Sequence, residues 1–79
     1  MAKQEHRLPQ GHFSLILEDG RELQVTGCRQ VLIYEDDCVL IRLKDRKVRI
    51  CGAGLTLHGY FGDEIVIGGS IRSVCLEAI

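Results

Sequence analysis

The 79-residue chain has no tryptophan and no asparagine, a single proline, and only 5% aromatic residues. Base-stacking platforms need aromatic rings, so the composition argues against a single-strand nucleic-acid binder. No sign of charge prevails either. Lys and Arg number 10 against 11 Asp and Glu, a formal net charge of −1, which removes any bulk electrostatic attraction to nucleic acid. No apolar run approaches the roughly 20 residues that cross a bilayer. The opening MAKQEHRLPQ contains no apolar segment of the secretory type, so the expectation is a cytoplasmic protein. The four cysteines, Cys28, Cys38, Cys51 and Cys75, form no C-x-x-C pair, which removes the usual zinc and redox spacings. In a cytosol they are expected to be reduced and to pack as small hydrophobes. A chain of this length forms at most one domain. It buries only about 60% of its unfolded surface, leaving little room for a deep catalytic cleft.

What is present is alternation. Hydrophobic residues make up 46% of the chain, too many for disorder. Residues 1–11 read as a flexible leader and residues 12–79 as a single all-β domain, because a period of two runs from His12 onward. In HFSLILE, Phe13, Leu15 and Leu17 share a face. Asp19-Gly20 then marks a tight hairpin, and RELQVTG returns with Leu23 and Val25 inward. VLIY, CVLIRLK, KVRICG, LTLH and EIVIGGSIRSV continue the pattern, separated by Glu35-Asp36-Asp37, Asp45-Arg46 and the Gly-rich GYFGDE. No segment holds a period of 3.6 over eleven or more positions, so no substantial helix is expected. The fold expectation is a small antiparallel roll or sandwich of about seven or eight short strands. Its core is predicted from Leu15, Leu17, Leu23, Val25, Val39, Ile41, Val48, Ile50, Leu55, Leu57, Ile65, Ile67 and Val74.

One phrase occurs three times: two alternating apolar residues followed by glycine, at Leu23/Val25/Gly27, Val48/Ile50/Gly52 and Ile65/Ile67/Gly69. The uneven spacing argues against a solenoid, which keeps a fixed period. Gly27, Gly52 and Gly69 are therefore expected at strand ends or bulges, where the sheet turns a corner.

The candidates for chemistry each meet a plainer reading. Gly52-Ala53-Gly54 is similar to a phosphate loop, but Leu57 stands where the dinucleotide fingerprint needs its third glycine, and no helix follows. Glu35-Asp36-Asp37 has too few oxygens converging for a hard cation, and reads as a solvated hairpin tip. His58 with Cys51 and Cys38 lacks close ligand spacing and an orienting third member for nucleophilic chemistry. His6 and His12 read as solvated. Arg42, Lys44, Lys47 and Arg49 fall on one face of the central hairpin. They could meet a phosphate-bearing surface, but edge-blocking charge is the preferred reading. No catalytic residue, metal or cofactor is expected.

The alternation breaks in a different way at Ile16, Leu40 and Val66. Each lies opposite its apolar neighbours, on a nominally outer face. Three apolar residues there suggest a self-association or partner surface, with burial in a second layer as the alternative.

From about Leu15 to Leu76 the sequence resembles the YabP/YqfC family of bacterial sporulation proteins. The ordered pattern falls on Leu23, Val25 and Gly27, then Val48, Ile50, Gly52, Leu55 and Leu57, then Gly62, Ile65, Ile67, Gly69, Ile71 and Val74. The chain departs from the pattern at Cys28, at Gly59-Tyr60-Phe61 and at Cys75-Leu76. The resemblance implies a non-catalytic protein of endospore formation, made in the mother cell, with a role in envelope or cortex assembly. It implies no cofactor and no small-molecule substrate. The expected partner is a protein, membrane-bound in one branch of the family, or another copy of the chain. A fainter likeness to an Sm-like RNA-binding barrel rests on LEDGRELQVTG and IVIGGSIRSV. That fold opens on a helix and reads RNA with an Asp and an Asn, and this chain has no Asn.

Overall fold

The structure, a computed structural model, describes residues 12–79. The leader expected over residues 1–11, with His6, lies outside the described residues. The six strands are β1 (Ser14–Glu18), β2 (Glu22–Thr26), β3 (Gln30–Tyr34), β4 (Cys38–Arg42), β5 (Arg46–Phe61) and β6 (Glu64–Ala78). They form one antiparallel sheet in the order β1-β2-β6-β5-β4-β3. The fold is all-β, as the alternation predicts, and the described residues contain no helix.

The strand number differs from the expected seven or eight because the glycines bend β5 and β6 without ending them. The β5–β6 ladder shifts register between Cys51 and Gly52, between Ala53 and Thr56, and between His58 and Phe61. Gly52 has ordinary φ, but a side chain there would run into the Ser70 carbonyl of β6. Gly69 holds φ 125° and would press a Cβ onto the Gly54 carbonyl. At these two positions the paired strands cross closer than any residue with a Cβ allows.

This bending folds the sheet onto itself. An antiparallel strand rises about 3.4 Å per residue, so 16 residues laid straight would hold the ends of β5 about 50 Å apart. Instead both ends lie near Phe13. The Arg46 guanidinium, at the start of β5, sits 5.4 Å from the Phe13 ring centroid. Gly27, whose missing Cβ leaves room for the Phe13 backbone, donates to the Asp63 carbonyl just beyond the other end of β5. The apolar residues of both arms accordingly meet in one core. Leu23, Val25, Ile65 and Ile67 come from one arm, and Val39, Ile41, Val48 and Ile50 from the other, with Leu55 between them.

Both hairpin tips dock on the bend. Asp19 and Gly20 take φ of 53° and 63°, the paired left-handed conformation that a tight Asp-Gly turn requires, and Arg21 N–H donates to the Glu18 carbonyl. The carbonyls of Gly20 and Arg21 then accept from Ile71 and Gly69 of β6. From the other arm, the carbonyls of Asp36 and Asp37 accept from Leu55 and Gly52 of β5, and Tyr34 Oη accepts from Leu57 N–H.

Of the predicted core, Leu23, Val25, Val39, Ile41, Val48, Ile50, Leu55, Ile65 and Ile67 are buried, and Leu15, Leu57 and Val74 pack against them partly buried. Leu17 is the exception at 49% exposed. It faces the core side beside Leu23, but β1 is the last strand of the sheet and none of the described residues pairs with its outer edge. Cys28 and Leu43 join the core, and Leu40 is buried outside it.

Candidate functional site

The outer face and the two sheet edges carry what the core leaves over. On β1, Ile16 is 50% exposed. Its register neighbours inward are Gln24 of β2 and then Val66 of β6, which is half-buried beside His58 of β5. Gln24 Nε2 donates to Glu64 Oε2 within the same patch. Ile16 and Val66 thus share one face of one arm.

Leu40 does not join them. It lies in the other arm, between Ile33 of β3 and Arg49 of β5, and is only 6% exposed. The expectation that Leu40 contributes to an open surface is therefore corrected. The cause is a bulge in β3. Val31 opposes Ile41 on the core face, the register then skips Leu32, and Ile33 opposes Leu40 on the outer face. One extra residue moves an apolar side chain to the outer side of the sheet, beside Leu40. The β3 edge is kinked by the same bulge, whereas β1 pairs β2 in an unbroken register.

Charged groups organise the outer face of the second arm. Arg49 Nε donates to Glu77 Oε2 at 2.7 Å, and Arg49 Nη1 reaches Cys38 Sγ at 3.7 Å. The hydrogen bond to Glu77, reinforced by its charge and by Cys38, holds the Arg49 pKa above its ordinary value. The same hydrogen bond from Arg49 lowers that of Glu77. Lys47 stands opposite both Arg42 and Glu77. The face proposed for Arg42, Lys44, Lys47 and Arg49 thus has a carboxylate set into it, while Lys44 is exposed in the β4–β5 turn.

The remaining candidates stay apart. Glu35, Asp36 and Asp37 are exposed at the β3–β4 tip. His58 faces Gly68 and Val66 beyond the bend, away from Cys51 and Cys38. No cluster of His, Cys, Asp and Glu suited to a metal ion occurs among the described residues. No helix among them is long and apolar enough to cross a membrane. Gly27 follows β2 with φ 98°, Gly52 lies inside β5 at a register shift, and Gly69 lies inside β6. The sequence pattern missed the β3 bulge and the facing of Cys38 and Cys51 across β4 and β5. The second depends on the hairpin turning at Lys44-Asp45, where Leu43 N–H donates to the Arg46 carbonyl, one residue earlier than the expected Asp45-Arg46, which would have set Cys38 opposite Ala53.

These features define a small all-β protein, a single bent antiparallel sheet in which β1, paired in unbroken register, is an edge strand among the described residues. The chain belongs to the YabP family, whose model matches residues 9–78, a family associated with sporulation. No curated protein and no solved structure matches the chain.

Proposed function

We propose that the protein is a non-catalytic assembly module of endospore envelope or cortex formation, acting in the mother cell by holding a protein partner against the β1 arm. Membership of the YabP family supports the sporulation setting. The single observation that supports the mode of action is the β1 edge. Among the described residues its backbone has no neighbour on one side, its register is regular, and Ile16 and Leu17 stand half-exposed on its two faces. Natural sheets blunt such edges with lysine, proline or bulges, and the five residues SLILE contain none of these. An extended segment of a partner can add to an edge of this kind through main-chain hydrogen bonds. A membrane-bound partner would bring the protein to a membrane.

Two experiments test the reading. Deleting the gene in its spore-forming host should yield spores with a defective cortex or coat; normal, heat-resistant spores would remove the sporulation role. Affinity capture from sporulating cells should recover a partner that is lost with Ile16→Lys/Leu17→Lys while the variant keeps its β-type circular dichroism. Recovery of the same partner by the folded variant would exclude the β1 arm as the docking surface.

A further inference from the structure

Cys38 and Cys51 are directly opposite one another on β4 and β5. Which kind of antiparallel pair they form follows from their neighbours. Cys38 exchanges hydrogen bonds with Glu35, its N–H donating at 3.4 Å and its carbonyl accepting at 2.8 Å, so its backbone groups turn toward β3 and away from β5. Gly52 N–H donates to Asp37 O, and Leu43 N–H donates to Arg46 O, which places the β4–β5 hydrogen bonds at the alternate positions of the same register. Cys38 and Cys51 are therefore a non-hydrogen-bonded pair, the closer of the two kinds, with Cα atoms about 4.5 Å apart and side chains on the same face. That spacing lies at the short end of the window a disulfide spans.

The other thiols are placed less well. Cys75 stands opposite Arg49, and Cys51 opposite Ser73, so Cys75 is a diagonal neighbour of Cys51. Diagonal Cα separations are about 7–8 Å, at or beyond disulfide reach. Cys28 lies in the core, whereas Cys38 and Cys51 are both partly exposed on the outer face. Arg49, two residues before Cys51 on the same face of β5, directs Nη1 at Cys38 Sγ from 3.7 Å. The thiolate is the attacking species in thiol exchange, and Arg49 sets a charged N–H donor against the Cys38 sulfur.

We propose that Cys38 and Cys51 form a reversible modification site, a cross-strand dithiol that is oxidised to a disulfide by exchange with a small-molecule disulfide. Cys38, as thiolate, attacks one sulfur of the oxidant, breaking its S–S bond and releasing one half as a thiol. The Cys51 thiol then loses its proton and attacks the Cys38 sulfur of the mixed disulfide, expelling the other half as a second thiol. Two protein thiols become one disulfide, and one disulfide is reduced to two thiols. The two protons leave with those thiols. The product pins β4 to β5 at the hairpin end nearest the bend. The reverse exchange with a small thiol opens it again.

The test uses the full chain and oxidised glutathione, followed by trapping of the remaining thiols with an alkylating agent and mass spectrometry. The proposal expects two thiols lost, no glutathione retained, an intact mass lower by two hydrogens, and a cross-link between the peptides of Cys38 and Cys51. The Cys75→Ser chain should behave identically. Cys38→Ser and Cys51→Ser should each stop at a mixed disulfide or remain unreacted, and Arg49→Gln should slow the reaction several-fold. A cross-link through Cys75, a disulfide only between molecules, or a folded chain that oxidises no faster than the urea-unfolded chain would overturn it.

Discussion

Gly52 shows how a residue with ordinary backbone angles becomes irreplaceable. Its φ is not left-handed, yet any Cβ would collide with the Ser70 carbonyl across the ladder. Backbone cannot rotate aside as a flexible side chain can. Gly52→Ala should therefore cost about 1–3 kcal/mol, the range for overpacking a tight site, read from chemical denaturation. A variant that unfolds at the wild-type midpoint would show that the strands do not approach so closely there. Glu77 offers a second prediction with a definite sign. Its pKa is lowered from 4.5 because Arg49 donates to the carboxylate. A carboxyl with a depressed folded-state pKa adds stability above its ordinary value, and loses it as pH falls through the folded value. The side chains of Arg49 and Glu77 are 37% and 32% exposed, so solvent screens the pair and the contribution is small. The melting temperature of the wild type should exceed that of Glu77→Gln at neutral pH, and the gap should close below the ordinary carboxylate range. A gap unchanged at low pH would assign the loss to packing.

Among the elements, β1 and β2 place leucines of the same face in opposite circumstances. Leu17 and Leu23 are partners across the ladder. Leu23 is buried under both arms and Leu17 is half-exposed at the edge. Leu23→Ala should destabilise by about 2–5 kcal/mol, whereas Leu17→Lys should stay within about 0.5 kcal/mol of the wild type. Equal losses would mean that β1 is covered. Periodicity could identify the face of Leu17 but not its exposure, because alternation reports side and never position in the sheet. The same restriction explains β5 and β6. Glycines after paired apolar residues signal a corner, and Gly52 and Gly69 do lie at the bend. Whether the strand ends there or bends and continues depends on a partner strand far away in sequence. The bulge at Leu32 left no signal at all, since QVLIY contains no glycine. It was this bulge that placed Ile33 beside Leu40.

At the scale of the molecule, the hairpins were legible and their order was not. Asp19-Gly20 and the alternation around it specify β1 against β2 from neighbouring residues alone. That β6 inserts between β2 and β5 rests on pairings of Glu22–Thr26 with Glu64–Gly68, which no local pattern encodes. Because both arms share one core, the sheet should melt as one unit. Thermal transitions followed by far-ultraviolet circular dichroism and by the two tyrosines should coincide; separate midpoints would mean that the arms unfold independently. The central place of β6 also bears on how the chain is made. Synthesis delivers β1 through β5 before β6, so a nascent chain carries a hairpin and a three-stranded meander whose inner margins, β2 and β5, both await the same missing ribbon. Residues 64–78 complete both ladders in one stroke, and they follow all the strands that wait for them. Until they pair, the vacant slot fits the ribbon of any neighbouring molecule as well as its own, and exchange of that ribbon is the characteristic misassembly to which this topology exposes the protein at high rates of expression.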